Sequence, residues 1–138
     1  MWAGAGARYS WRGICGCATQ INAADRPREI YHFVGPDGAS VCLKWNSQMQ
    51  RVTTSIGGYA EARDPAAVVD YVHSDAGFQE AWPWDVIGAF DHGGDPVQST
   101  TEAFTQASLS SSDASKRVIV SNVVDFFEDF LADHAGDI

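Results

Sequence analysis

Apolar and polar positions change rhythm part-way along this chain. Ile30-Tyr31-His32-Phe33-Val34 alternates and is rich in β-formers, Gly35-Pro36-Asp37-Gly38 is a strong turn sequence, and residues 39–45 resume the β-rich pattern up to Trp45. Together they predict a β-hairpin. Residues 46–63 are polar and glycine-bearing and read as loop. From residue 64 the spacing becomes helical. Asp64-Pro65 pairs an N-cap with proline at the first helical position, which predicts a helix to about His73 carrying Val68, Val69 and Val72 on its apolar face.

Trp82-Pro83-Trp84 interrupts the pattern, and Asp85-Val86-Ile87-Gly88-Ala89-Phe90 follows as a short apolar run of the kind buried in a parallel sheet. Ser99 and Glu102 have capping-box spacing, predicting a helix through about Ser108. Arg117-Val118-Ile119-Val120-Ser121 reads as a second buried strand. Asn122 caps a last helix in which Val123, Phe126, Phe127, Phe130 and Leu131 recur at helical spacing. The fold class expected is therefore α/β: a β-hairpin followed by α-β-α-β-α, with parallel strands joined by helical crossovers. Two such strands do not make a stable sheet alone. The expectation is one partial domain over residues 1–138, with hairpin and loops in 1–63 and β/α units in 64–138.

Composition alters this picture little, but charge does. The chain has 138 residues, 45% hydrophobic and 20% charged, an ordinary globular balance. Its net charge of −9 is unevenly spread: residues 1–63 hold seven basic and four acidic residues, residues 64–138 two and fourteen. An acidic half repels phosphate backbones, and Arg8, Arg12, Arg26 and Arg28 lack the spacing of a nucleic-acid module, which argues against a nucleic-acid partner. No apolar run reaches the ~20 residues that span a bilayer, so no membrane partner is expected. Residues 1–7 lack the charged and apolar regions of a signal peptide, which favours the cytoplasm. They also lack a cap or strand onset, as if the start were frayed or internal to a longer protein.

Cys15, Cys17 and Cys42 are an odd number with one C-x-C pair, which argues against a disulfide framework. Zinc would require two further ligands at recognisable spacing, and none follows. Reduced, partly buried thiols are the simpler reading.

Ligands in α/β folds gather at the carboxyl ends of strands. Phe90-Asp91-His92-Gly93-Gly94-Asp95-Pro96 lies at such an end. Its two carboxylates and imidazole suit acid/base or metal chemistry, while its glycines let the backbone approach a substrate. The plainer alternative is a solvated turn. His73 and Asp75 would share a metal on an extended strand, but here they follow a helix, and Asp75 to Gly77 more naturally closes it. The stripe Phe126, Phe127, Phe130 is core. Tyr9-Ser10-Trp11-Arg12 offers aromatic faces that stack on a pyranose.

Several segments, in order, resemble the catalytic domain of glycoside hydrolase family 38, the α-mannosidases, especially an uncharacterised bacterial branch. Tyr9-Ser10-Trp11 resembles the family's Tyr-Ser-Tyr stretch, and Tyr31 to Gly38 with Val41 to Trp45 its aromatic-Gly-x-Asp-Gly hairpin. Trp82-Pro83-Trp84-Asp85-Val86-Ile87 resembles the strand that runs into its Gly-Asp-Asp loop, and Val118 to Phe127 its strand and Asp-aromatic-Phe helix start. The match covers most of this chain and an internal slice of the family's domain, a larger parallel β/α barrel-like unit.

The resemblance implies a parent enzyme that hydrolyses α-glycosidic bonds with retention and takes a carbohydrate substrate. Asp95 falls at the candidate general acid, with Asp91 as the neighbouring alternative and Pro96 standing where the family has a second Asp. Tyr9 and Trp11, by stacking, and His92, from the candidate loop, are the residues expected to bind that substrate. The family's nucleophile and zinc ligands lie outside the matched slice, so zinc would be held by the remainder of the catalytic domain, and this chain alone would be inactive. Two readings of other classes compete: a stand-alone carbohydrate- or protein-binding α/β module, and a metal or redox protein using Cys15, Cys17 and a histidine. The reading frame on either side of the chain separates the enzyme fragment from the binding module.

Overall fold

A computed structural model describes residues 3–12, 28–45, 65–88 and 102–138. The chain is a mixed α/β protein, with a three-stranded mixed sheet and four helices among the described residues. After a short 3-10 turn at Ala3–Ala5 come β1 (Tyr9–Arg12), β2 (Ile30–Val34), β3 (Ser40–Trp45), α1 (Pro65–Ser74), α2 (Ala76–Ala81), α3 (Glu102–Ser111) and α4 (Val123–His134).

The predicted hairpin forms, with Ile30 opposite Lys44 and Val34 opposite Ser40. Its turn is closed by Gly35 N–H donating to Ala39 O (2.8 Å) and by Asp37 Oδ1 accepting from Ala39 N–H (3.1 Å). Gly38 there has φ +80°, a left-handed conformation that glycine adopts at no steric cost. β1 lies on the other side of β3 and parallel to it, Tyr9 opposite Cys42 and Trp11 opposite Lys44, giving the order β1-β3-β2. Central β3 is accordingly buried at Val41, Cys42, Leu43 and Lys44.

Because strand side chains alternate, Tyr9, Trp11, Ile30, Cys42 and Lys44 share one sheet face. That face carries the core. Phe127 and Phe130 of α4, both fully buried, pack there with Ile30, Cys42, Phe78 and Trp82. Asn122 starts α4 as expected, its side-chain oxygen accepting from Val124 and Asp125 N–H. Helix α1 packs on α3, and Tyr71 packs on Phe78 of α2 (ring centroids 5.6 Å apart).

Three expectations need correction. First, residues 85–88, the described part of the first expected strand, join no sheet. The Trp82 indole N–H donates to the Val86 carbonyl at 3.0 Å, taking an acceptor that a strand ladder would need. Second, residues 117–121 are not a strand either. The Ser108 and Ser112 hydroxyls donate to the Val118 carbonyl (2.6 and 3.3 Å), and Val118 N–H donates to Ser112 Oγ (3.0 Å). Serine side chains thus offer this backbone an alternative to a ladder. Ile119 and Val120 are left exposed.

Third, Asp75 opens a helix rather than closing one: its Oδ1 accepts from Phe78 N–H at 2.6 Å and caps α2. The parallel pairing that does occur is β1 with β3, inside the stretch read as hairpin and loops. Among the described residues, no helix is long and apolar enough to cross a membrane.

Candidate functional site

The loop carrying Asp91, His92 and Asp95 lies outside the described residues, as do Cys15 and Cys17. The approach to that loop is described. Residues 82–88 run across the aromatic core, with Trp82 in contact range of Phe126 and Phe130 (centroids 6.5 and 5.6 Å) and Trp84 edge-on to Phe130 (5.2 Å). At the end of this run Gly88 sits so close to the rings of Trp11 and Phe126 that an added Cβ would lie 2.7 Å from atoms of both. Only glycine fits there, three residues before Asp91 in the sequence.

Tyr9 and Trp11, proposed sugar-stacking residues, are half-buried and packed. The Tyr9 ring stacks on Phe127 at 5.0 Å and 8°, and the Arg8 guanidinium lies 4.9 Å from its centroid. Trp11 tilts against Phe126 at 5.0 Å and meets Phe127 edge-on at 6.5 Å. These contacts give both rings a place in the core. Exposed Arg8 also reaches Glu128 of α4 (3.5 Å), a surface pair of small energetic weight.

Two polar arrangements escaped the sequence reading. Lys44 Nζ donates to Glu29 Oε2 at 3.1 Å, with each side chain only 4% exposed. The ammonium also lies 4.9 Å from the Trp11 ring centroid and 4.8 Å from that of Trp82. Aromatic faces are electron-rich and attract a cation, so the two indoles and the carboxylate replace lost hydration. Burial still pushes the Lys44 ammonium below its ordinary pKa, with the charge and hydrogen bond of Glu29 opposing. A lysine inside Val41-Cys42-Leu43-Lys44-Trp45 was the available clue; its partner was not inferable.

The second arrangement centres on His134, in the last turn of α4. Its Nε2 is 2.7 Å from Asp85 Oδ1 and its Nδ1 3.1 Å from Asp137 Oδ2. Its ring also lies against Phe130 (5.2 Å) and Trp84 (6.5 Å). The hydrogen bond to Asp85 raises the His134 pKa, burial opposes it, and the hydrogen bond to Asp137 adds to the rise. Reciprocally, the hydrogen bond from His134 holds the Asp85 carboxyl below the usual range. The Asp137 contact at i+3 is visible in the sequence; the Asp85 contact, 49 residues away, is not.

Cys42 is a buried free thiol, pushed up to about 11 by desolvation, so it is not a nucleophile near neutrality. His73 is exposed at the end of α1. Among the described residues no group of three or more His, Cys, Asp or Glu could hold a metal ion. Comparison with protein-family models, with curated proteins and with solved structures returned no match to this chain.

Proposed function

We propose that this chain is part of a glycoside hydrolase resembling the α-mannosidases, whose intact domain hydrolyses α-glycosidic bonds with retention. One observation supports this reading above others. Each of the four segments that carry the family resemblance contributes a side chain to a single contact: Trp11, Lys44, Trp82 and Phe126. Segments whose order suggests a common origin also cohere in space. Gly88, packed against two of these rings, precedes Asp91 by three residues and Asp95 by seven.

In the proposed chemistry Asp95 is the general acid that protonates the departing glycosidic oxygen, with Asp91 as the alternative donor. The carboxylate nucleophile belongs to the remainder of the barrel-like domain. So does zinc, which would position that carboxylate and the sugar; no group of described residues here fits the ion. Tyr9 and Trp11 would act on the sugar indirectly, by fixing where the loop starts, and His92 would contact it.

The test is to express the reading frame that contains this chain together with its flanking sequence and assay aryl α-mannosides. Turnover is expected, with a loss of about 100- to 10,000-fold in Asp95→Asn. The 138-residue chain alone should be inactive. Hydrolysis by the chain alone overturns the fragment reading, and an unimpaired Asp95→Asn with an impaired Asp91→Asn overturns the assignment of the acid. A stop codon just before Met1 and binding of mannosides without turnover would favour the binding-module reading instead.

A further inference from the structure

The contacts of His134 constrain its charge. Ionised carboxylates only accept hydrogen bonds, and both ring nitrogens face carboxylate oxygens, those of Asp85 and Asp137. A neutral imidazole has one N–H and would turn a lone pair towards one of them. Both contacts are satisfied only when the ring is an imidazolium. It is also the link between two distant parts of the chain: Asp85 lies in the run 82–88 that leads to the candidate acid loop, and Asp137 closes α4.

We propose that His134 is a positioning residue: as an imidazolium bridging Asp85 and Asp137, it clamps the run leading into the candidate acid loop onto the end of α4. The neighbouring rings fix the geometry, since Trp84 and Phe130 both lie against the imidazole. The His134 side chain is 17% exposed and that of Asp85 86%, so protons reach the pair from solvent. Among the described residues, the charged groups facing the ring are Asp85 from the run and Asp137 from beyond α4. Arg28 lies over the Trp84 ring (5.5 Å).

Loss of the His134 proton with rising pH removes one donor and the attraction to both carboxylates, and residues 86–88 are then held by packing and by the Trp82 indole hydrogen bond to the Val86 carbonyl. Protonation of Asp85 at acid pH removes the other half. The clamp is therefore closed between these two titrations. It rests on the glycosidase reading only for what the loop does, because the clamp itself involves no sugar.

The experiment is NMR on the full 138-residue chain, following the His134 ring and the backbone amides of Val86, Ile87 and Gly88 as pH rises from 5 to 9 (roughly the window that brackets a raised histidine). The expected result is a His134 midpoint above that of free histidine, with the three amides moving along the same curve. Asp85→Asn should lower that midpoint. His134→Gln, whose neutral amide can still donate to Asp85, should leave the amides near their wild-type positions without a pH response. A free-histidine midpoint, or amides that do not follow His134, overturns the proposal. Failure of the clamp leaves the aryl-mannoside assay untouched, and the converse also holds.

Discussion

Lys44 and Glu29 form an ion pair 3.1 Å long from which water is almost excluded, closed between the indoles of Trp11 and Trp82. Such a pair is weak evidence for stability, because desolvation offsets most of the attraction, but breaking one half leaves a buried charge uncompensated. Lys44→Met should therefore cost about 3–5 kcal/mol. Replacing both residues together, Glu29→Leu with Lys44→Met, should cost less than that single change. Urea unfolding of the single and double variants measures this, and additive losses would contradict it.

Gly88 tests the route into the candidate loop. A methyl group there would lie 2.7 Å from Trp11 and Phe126 ring atoms, and neither ring can withdraw without disturbing the core. Gly88→Ala is expected to destabilise by about 1–3 kcal/mol, the range for overpacking. A midpoint shift in chemical denaturation, read by tryptophan fluorescence, checks it. An unchanged midpoint would mean that the run lies farther from those rings.

Helix α4 depends on its start. Asn122 Oδ1 accepts from Val124 N–H (2.9 Å) and Asp125 N–H (3.0 Å), and its amide donates to Asp125 Oδ2 (2.8 Å). Asn122→Ala should cost about 0.5–2 kcal/mol, while Asn122→Asp should retain most of the cap. Thermal melts by circular dichroism distinguish the two.

The pH profile of stability follows from Asp85 and His134. His134 has a raised pKa in the folded chain, so its contribution is complete below its ordinary 6.5 and is lost as pH rises through the folded value. Asp85 is depressed, so its contribution is complete above the ordinary 3.8 and is lost as pH falls through its lower folded value. The melting temperature should therefore decline on the alkaline side of neutrality. His134→Gln should flatten that decline; an alkaline limb identical in both proteins would exclude His134 as its source.

The hairpin, α1 and α4 follow from local rules: a glycine turn, a proline at the first helical position, an asparagine cap. All three form. The two expected strands after residue 84 had the right apolar content, but Val86 and Val118 give backbone hydrogen bonds to Trp82, Ser108 and Ser112. Side-chain competition of that kind has no signature in apolar periodicity. β1 escaped for the opposite reason. Four residues after a glycine- and alanine-rich start look like nothing until their partner, far along the chain, is known. Of the candidate site, Tyr9 and Trp11 were singled out as aromatic and pack against the core, while Asp91, His92 and Asp95 lie outside the described residues.

The pairing of β1 with β3 also bears on how the chain assembles. The hairpin closes across a short turn, whereas Tyr9 must find Cys42 across roughly thirty residues, at a larger loop-closure entropy. Local contacts form sooner than distant ones, so the hairpin is the natural early structure and β1 a later arrival. Until β1 brings Trp11 over it, and the chain beyond α2 brings Trp82, the Lys44 ammonium keeps its water. Dehydration of that one charge thus falls late in folding, when both indoles close.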